Sequence, residues 1–177
     1  LINSHRTSSV VTQSGSSFFQ IRNGGDGGVL LRFDISKWNW ETVLNTPYYL
    51  SNIPEHDSLL YVPSAYGYWT YNLQTKELTH IEELQMESGE KQLTDINALV
   101  FDLQGGMWIG TEKRGLLYAR PIAAPFKVHT WDQQRALDLA ALMDEKVKPV
   151  TEYSGNSANC VFRDSRGWVW VGTSSGL

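Results

Sequence analysis

The chain has 177 residues, of which 41% are hydrophobic and 12% aromatic, and it carries a formal net charge of −4 and one cysteine. This composition is typical of a folded domain with a real core and excludes an intrinsically disordered chain. The acidic balance and the absence of any Lys/Arg cluster larger than a pair argue against a nucleic-acid or anionic-membrane surface, and the single cysteine excludes an internal disulfide.

No apolar run approaches the roughly 18–20 residues that a membrane span needs. The N-terminal segment LINSHRTSSVV has no basic region followed by an apolar stretch, so it lacks the features of a signal peptide. Neither a span nor a leader is therefore expected within this sequence.

Short strands separated by Gly, Asn and Ser turns account for the first half of the chain. Aromatic and β-branched residues between those turns predict two four-stranded antiparallel blades, at about 7–45 and 48–84. An aromatic, a polar residue and an aliphatic precede a short turn in both, as Phe33-Asp34-Ile35 and as Tyr71-Asn72-Leu73. The parallel indicates that the two blades are copies of one unit.

A clearer repeat follows. The stretch GGMWIGTEKRGLLY at 105–118 returns as GWVWVGTSSGL at 167–177, with an offset of 62 residues. The repeat predicts a third blade at about 95–130 and an incomplete fourth at 157–177. The matched residues are Asp102, Gly105, Trp108, Gly110 and Thr111 in one copy and Asp164, Gly167, Trp170, Gly172 and Thr173 in the other.

The offset of 62 is longer than a blade of roughly 40–50 residues requires, and a helical pattern explains the excess. Thr130 and Gln133 form a capping box, apolar residues recur at helical spacing behind them, and Pro149 is a stop signal. The pattern predicts a helical insertion at 131–147.

The predicted fold class is therefore all-β: a partial β-propeller of about 3.5 four-stranded antiparallel blades with one helical insertion, forming a single segment over 1–177. Closed propellers have roughly four to eight blades. Three and a half blades would expose strand edges and apolar faces. We expect the chain to be part of a longer propeller or to pair with a second copy, as a homodimer.

The repeated residues favour architecture over chemistry. Asp102 and Asp164 have the preferred position for a type I turn, and the alternative for them is a metal-binding or catalytic role. Trp108 and Trp170 suit packing between blades, and the alternative for them is stacking on a ligand. Cys160 lies beside apolar residues and is predicted to be a buried thiol. The four histidines show no metal-ligand spacing, so neither a metal nor a cofactor is expected.

The pattern N-x-x-x-x-D-x-x-G-x-x-W-(I/V)-G-T, followed by a short loop and G-L, resembles the two-component regulator propeller repeat. It covers Asn97 to Leu116 and Asn159 to Leu177, and the upstream blades fit it more loosely. The resemblance implies a β-propeller in the periplasmic sensor region of a bacterial hybrid two-component system, anchored in the inner membrane. It further implies a histidine kinase elsewhere in the full-length protein, and oligosaccharides as the signal.

A ligand surface is expected where irregular connections gather. The loops between the second and third strands of a blade share one face of a propeller with the connectors between blades, and function concentrates on such variable loops. Tyrosines there could stack on sugar rings, and charged side chains could bond hydroxyl or acidic groups; each also has a plainer interpretation as a solvated loop residue. The candidates are Arg22, Asp26, Tyr48, Tyr49, Tyr66, Lys113 and Arg114.

The leading hypothesis is a non-enzymatic sensor whose ligand biases a signalling equilibrium. A propeller-fold glycan lyase or hydrolase is the second, although a glycosidase needs two carboxylates at a set separation, and Glu55 and Asp57 do not stand out as such a pair. A protein-docking scaffold is the third.

Overall fold

A computed structural model describes residues 11–119, 126–129 and 157–173, without the side chains of residues 11, 12 and 127–129. The described residues form sixteen strands and no helix, and none of them belongs to a helix able to cross a membrane. The helical insertion predicted at 131–147 lies outside these residues, so no observation bears it out. The chain divides into two compact units, residues 1–83 and 84–177.

The first unit begins with a four-stranded antiparallel sheet whose strands pair in chain order. Burial alternates along its second strand, so that Phe19 and Ile21 point into the core. This period of two is the mark of a strand with one face in the core. The strands of this first sheet are β1 (Val11–Ser14), β2 (Ser17–Gly24), β3 (Gly27–Asp34) and β4 (Asn39–Thr46).

A second four-stranded sheet follows, and its first strand differs from the prediction. The blade predicted at about 48–84 starts with a single bridge, between Leu50 and Ser64, and its first strand begins only after Pro54. Proline has no N–H to donate, which explains the interruption. The strands are β5 (Glu55–His56), β6 (Leu59–Ser64), β7 (Gly67–Asn72) and β8 (Leu78–Ile81).

The core of the first unit lies between these two sheets. Phe19 and Leu30 of the first sheet pack with Leu60 and Val62 of the second, and all four are fully buried. Tyr71 joins them, with its ring 5.8 Å from that of Phe19. Face-to-face packing of successive sheets is how propeller blades bury their apolar sides.

The second unit opens with a small hairpin where an irregular connector was expected. Strands β9 (Leu84–Gln85) and β10 (Lys91–Gln92) pair, and Met86 forms a bridge with Phe126. Leu84 and Met86 are buried, which gives this segment an apolar anchor. The connector at 84–95 is therefore mostly ordered structure.

The repeat seen in the sequence is also a repeat in the backbone. Both copies place a β-bulge in their first strand, between Ile96 and Ala98 and between Ala158 and Cys160. Corresponding residues therefore have corresponding partners. The third sheet comprises β11 (Ile96–Phe101), β12 (Met107–Thr111), β13 (Leu116–Ala119) and β14 (Lys127–His129), and the fourth pair comprises β15 (Ala158–Arg163) and β16 (Val169–Thr173).

Candidate functional site

Asp102 organises the turn between β11 and β12. Its Oδ1 accepts hydrogen bonds from the backbone N–H groups of Gln104 at 3.0 Å and Gly106 at 2.6 Å. Its Oδ2 accepts one from the indole Nε1 of Trp108 at 2.9 Å. The carboxylate therefore joins the turn to the tryptophan side chain, a contact that the type I turn alone did not predict.

Asp164 repeats this geometry in the fourth pair. Its Oδ1 accepts from the backbone N–H groups of Arg166 at 2.9 Å and Trp168 at 3.0 Å, and its Oδ2 from Trp170 Nε1 at 3.1 Å. Burial raises the pKa of this carboxyl, but the hydrogen bonds from Trp170, Trp168 and Arg166 outweigh it and hold the pKa below its ordinary value. Both aspartates are satisfied within their own turns, which favours the structural interpretation.

The two tryptophans differ in their surroundings. Trp108 is 4% exposed and packs in a cluster with Ala98, Leu116 and Val161, the last of which belongs to the fourth pair. Trp108 thus fills the space between neighbouring sheets, as predicted. Trp170, its counterpart, is 42% exposed.

Gly110 serves the same interface. A Cβ at Gly110 would lie 3.0 Å from Val161 Cγ2 and 3.1 Å from the Ala158 carbonyl oxygen. Gly110 therefore permits a close approach between the third sheet and the fourth pair. Cys160 is exposed and not the buried thiol expected, because it shares the outer face of β15 with exposed Phe162.

The glycine-rich segment 22–28 is not a long loop. Arg22 lies in β2, Gly24 pairs with Gly27, and only Gly25 and Asp26 form the connection. Gly27 has a φ of 111°, and a Cβ there would lie 2.1 Å from the Thr46 carbonyl oxygen, so the glycine is required by the turn. The connection between β2 and β3 is therefore a tight turn and not one of the irregular connections at which a ligand surface was predicted.

The structure treats the two charged candidates of this segment differently. Arg22 is half-buried and its Nε donates to Gln20 Oε1 at 3.0 Å, along the same strand face. Asp26 is exposed at the tip of the two-residue turn. Neither is seen in contact with the candidate tyrosines among the described residues.

Two candidate tyrosines do come together. The rings of Tyr48 and Tyr66 lie 5.4 Å apart at 77°, an edge-to-face contact. The Asn23 side chain braces the segment between them, because its Nδ2 donates to the Leu50 carbonyl at 2.8 Å and its Oδ1 accepts from Leu50 N–H at 2.9 Å. Leu50 in turn bridges to Ser64, two residues before Tyr66.

Tyr49 and Tyr66 are exposed, whereas Tyr48 is half-buried. Tyr66 adopts a φ of 59°, a left-handed conformation that a bulky residue rarely adopts. Strain of this kind tends to gather at functional sites and is held in place by the surroundings, here by the braced connector. The pair of Tyr48 and Tyr66, with Tyr49 beside it, is the only one of the predicted contacts that the described residues assemble.

Lys113 and Arg114 lie in the second unit, in the turn between β12 and β13. Both are exposed. The Arg114 backbone N–H donates to Thr111 Oγ1 at 2.9 Å, and that hydroxyl donates to the Gly115 carbonyl at 2.8 Å. The turn is therefore ordered by its buried threonine, and both charged side chains face solvent.

The sequence reasoning passed over one aromatic group. Trp38 and Trp40 are exposed near the turn between β3 and β4, at the opposite end of the first sheet from Tyr48. The letters WNW at 38–40 were the available signal, but they were interpreted only as part of a short turn and the beginning of the strand that follows it. Among the described residues, no group of three or more His, Cys, Asp or Glu side chains could hold a metal ion.

Residues 152–175 match the family model of the two component regulator propeller. The matched stretch contains the turn of Asp164 and Trp170, and the predicted resemblance is confirmed. No curated protein sequence matches the chain.

Solved structures of similar fold include extracellular domains from Bacteroides thetaiotaomicron. The chain is 15% identical to the extracellular domain of the putative hybrid two component system BT4673, with a TM-score of 0.65. The match covers 94% of this chain and 20% of that one. For the putative hybrid two component system BT3049 the values are 20% identity, a TM-score of 0.56, and coverage of 94% and 27%.

PorZ, a bacterial surface component of the type-IX secretion system of Porphyromonas gingivalis, is also similar in fold. It is 12% identical, with a TM-score of 0.58 and coverage of 92% of this chain and 24% of that one. The chain thus spans about a fifth to a quarter of the length of these structures. Together with the three four-stranded sheets, these likenesses confirm the partial β-propeller.

Proposed function

We propose that the chain is a non-enzymatic, ligand-binding propeller segment of a bacterial two-component signalling protein and that it responds to oligosaccharides. The match to the regulator propeller model supports the signalling role. Two of the similar folds are described as extracellular domains of putative hybrid two component systems, which supports a periplasmic location ahead of an inner-membrane anchor.

The contact between Tyr48 and Tyr66 is the observation that carries the ligand proposal. A sugar ring presents an apolar C–H face and a polar rim of hydroxyl groups, and it can stack on an exposed aromatic ring while hydroxyls bond to phenols. Tyr49 and Tyr66 offer exposed rings, and the Asn23 brace holds the connector in place before any ligand arrives. Such preorganisation lowers the ordering cost of binding.

Binding of short soluble oligosaccharides from plant and host polysaccharides, followed by calorimetry, tests the proposal. We expect saturable binding of at least one of them, and Tyr66→Asn should weaken it about tenfold by removing a stacking ring. Asparagine tolerates the left-handed conformation of this position, so folding is kept. Leu93→Ala, at an exposed residue of the second unit, is the control and should leave binding unchanged.

Two results would count against this function. Binding that is unchanged by Tyr66→Asn and Tyr48→Ala would remove the tyrosines from the site. Release of shortened sugars during incubation, measured by chromatography, would move the protein to the glycan lyase or hydrolase alternative. Absence of any binding would leave the docking scaffold as the better account.

We also propose a macromolecular contact on the fourth pair. Phe162, Trp168 and Trp170 are exposed on one side of it. In the third sheet, the residue equivalent to Trp170 is Trp108, which is buried against the fourth pair. A further sheet of the same repeat, from additional blades or from a second copy in a homodimer, would bury Trp170 in the same way.

Sedimentation velocity tests this contact. We expect association to a mass above 20.0 kDa for the chain studied without further blades, and Trp170→Ser should reduce it. A monomer at all concentrations, with no gain in stability when neighbouring blades are supplied, would contradict the proposal.

A further inference from the structure

The turn between β3 and β4 displays a tryptophan in a conformation that does not suit tryptophan. Asp34 Oδ1 accepts hydrogen bonds from the backbone N–H of Ser36 at 3.0 Å, the Ser36 hydroxyl at 2.6 Å and the backbone N–H of Lys37 at 3.2 Å. The residue that follows these hydrogen bonds, Trp38, has a φ of 53°. Bulky residues rarely adopt such a value, which glycine and asparagine adopt easily.

The second sheet contains the same turn and shows what the fold itself requires. Asn72 Oδ1 accepts from the backbone N–H groups of Gln74 and Thr75, both at 2.9 Å. The next residue, Lys76, has a φ of 65°, and its ammonium group donates to the Leu73 carbonyl. The turn therefore needs a left-handed residue at this place, but it does not need an indole. The Lys76 side chain stabilises its own turn through this hydrogen bond, whereas the role of the Trp38 side chain lies outside its turn.

Trp38 belongs to a small platform of three rings. Its side chain is 78% exposed and touches Phe33 edge-on, with ring centroids 5.3 Å apart at 73°. Phe33 also contacts Trp40, at 5.0 Å and 46°, and Trp40 is 46% exposed. Trp38, Phe33 and Trp40 thus present two exposed indoles supported by a half-buried phenylalanine.

The platform is unlike the sheet interface of this protein. At that interface Trp108 lies within a strand, is covered by valines and has its indole N–H bonded to Asp102. Trp38 lies in the turn between β3 and β4, and Trp40 lies near the start of β4. Within the part of the chain that the structure describes, neither Trp38 nor Trp40 has a hydrogen bond to its indole N–H.

The surroundings are polar. Lys37 is exposed, with its ammonium 3.9 Å from Asp34 Oδ2, and Ser36 and Asn39 are exposed beside it. Flat aromatic faces with free N–H donors and a polar margin match a molecule with apolar faces and hydroxyl edges. From this geometry we infer that the platform of Phe33, Trp38 and Trp40 is a carbohydrate-binding surface for pyranose rings of a polysaccharide chain.

This surface is separate from the tyrosine pair. β4 runs from the platform to the connector that carries Tyr48, and its eight residues span about 25 Å. The inference therefore goes beyond the proposed function and does not rest on it. A long glycan could be held by the platform while short oligosaccharides bind at the tyrosines.

Affinity electrophoresis tests the inference, with the protein run through native gels containing hydroxyethylcellulose, xylan, arabinogalactan or glycogen. We expect at least one polysaccharide to retard the protein, and Trp38→Lys to abolish most of the retardation. Lysine is the residue that the equivalent turn already carries at 76, so the variant should fold and its urea unfolding midpoint should stay unchanged or rise. Trp40→Ala should weaken retardation about tenfold, a stacking contribution.

Tyr66→Asn separates this inference from the proposed function. Retardation that survives Tyr66→Asn and is lost in Trp38→Lys supports the platform, whatever the calorimetry of short oligosaccharides shows. Unchanged retardation in folded Trp38→Lys overturns the platform and leaves the tyrosine proposal intact. No retardation by any of the four polysaccharides overturns it also, as does a change in solution mass caused by Trp38→Lys, because that would assign the rings to a protein contact.

Discussion

Replacement of Asp102 by alanine tests whether the repeated turns hold the second unit together. The change removes the acceptor of three hydrogen bonds, from Gln104 N–H, Gly106 N–H and Trp108 Nε1. Trp108 is 4% exposed, so water cannot easily replace the carboxylate at the indole. A buried donor left without a partner costs about 1–3 kcal/mol, and hydrogen bonds to a charged group contribute about 1.5–3 kcal/mol each.

These contributions do not add, because one carboxylate makes all three bonds and the loop can relax. We therefore expect Asp102→Ala to lower the free energy of unfolding by about 3 kcal/mol. Asp102→Asn should lose less, since its amide oxygen can still accept from the turn while its NH2 group faces the indole N–H. Urea unfolding gives the free energies, and hydrogen exchange of residues 96–119 assigns the transition to the second unit.

The repeat supplies a matched control. Asp164→Ala removes the same three kinds of hydrogen bond, but Trp170 is 42% exposed and its indole can turn to water. The loss should therefore be smaller than for Asp102→Ala. Equal losses in the two variants would refute the argument from burial. A double-mutant cycle with Trp108→Phe checks the indole contribution, because Asp102→Ala should cost less when there is no indole N–H to satisfy.

Two further predictions concern single groups of the backbone and of the turns. Gly67→Ala should lower the free energy of unfolding of the first unit by about 3 kcal/mol, because the φ of Gly67 is 95° and a Cβ there would lie 1.9 Å from the Ile81 carbonyl oxygen. Gly89 has a φ of 85° but open space around it, so Gly89→Ala should cost only about 1 kcal/mol. Urea unfolding measures both. The Ser36 hydroxyl holds the pKa of Asp34 below its ordinary value, so the stability from this carboxylate is present above the unfolded pKa of about 3.9 and is lost as pH falls through the folded pKa. Asp34→Asn should therefore be less stable than wild type at pH 7 and approach it near pH 2, and a pH-independent difference would contradict this.

Local repetition made much of the fold predictable. The turns of Asp102 and Asp164 could be identified because identical letters recur at a constant offset and a turn depends on a few neighbouring residues. The strands around them follow from aromatic and β-branched residues for the same reason. The indole contact to each aspartate was missed because it is a side-chain contact from the turn to the strand that follows it, and the sequence shows only that the two residues recur in both copies.

Contacts made by the backbone over longer distances were harder to predict. The many glycines of the segment 22–28 favour an irregular connection there. Gly27 is in fact present because β3 runs against the carbonyl of Thr46, and a crowded turn and an open loop both favour glycine. Likewise Pro54 moved the first strand of the second sheet, since a lost donor shifts the ladder without changing the hydrophobic pattern around it.

The candidate site shows where copies of a repeat give functional information. Positions that are the same in both copies, such as Trp108 and Trp170, are explained by the turn that they share. Positions that differ can be compared with what the common geometry prefers. Lys76 fits its left-handed position by donating a hydrogen bond to a nearby carbonyl. Among the described residues, Trp38 in the same conformation makes one ring contact and leaves most of its surface exposed to water. A residue that is unfavourable in its own turn, and that the equivalent turn of the other sheet does not contain, needs an explanation other than the fold. For Trp38 the cause that we infer is a pyranose ring that stacks on the indole.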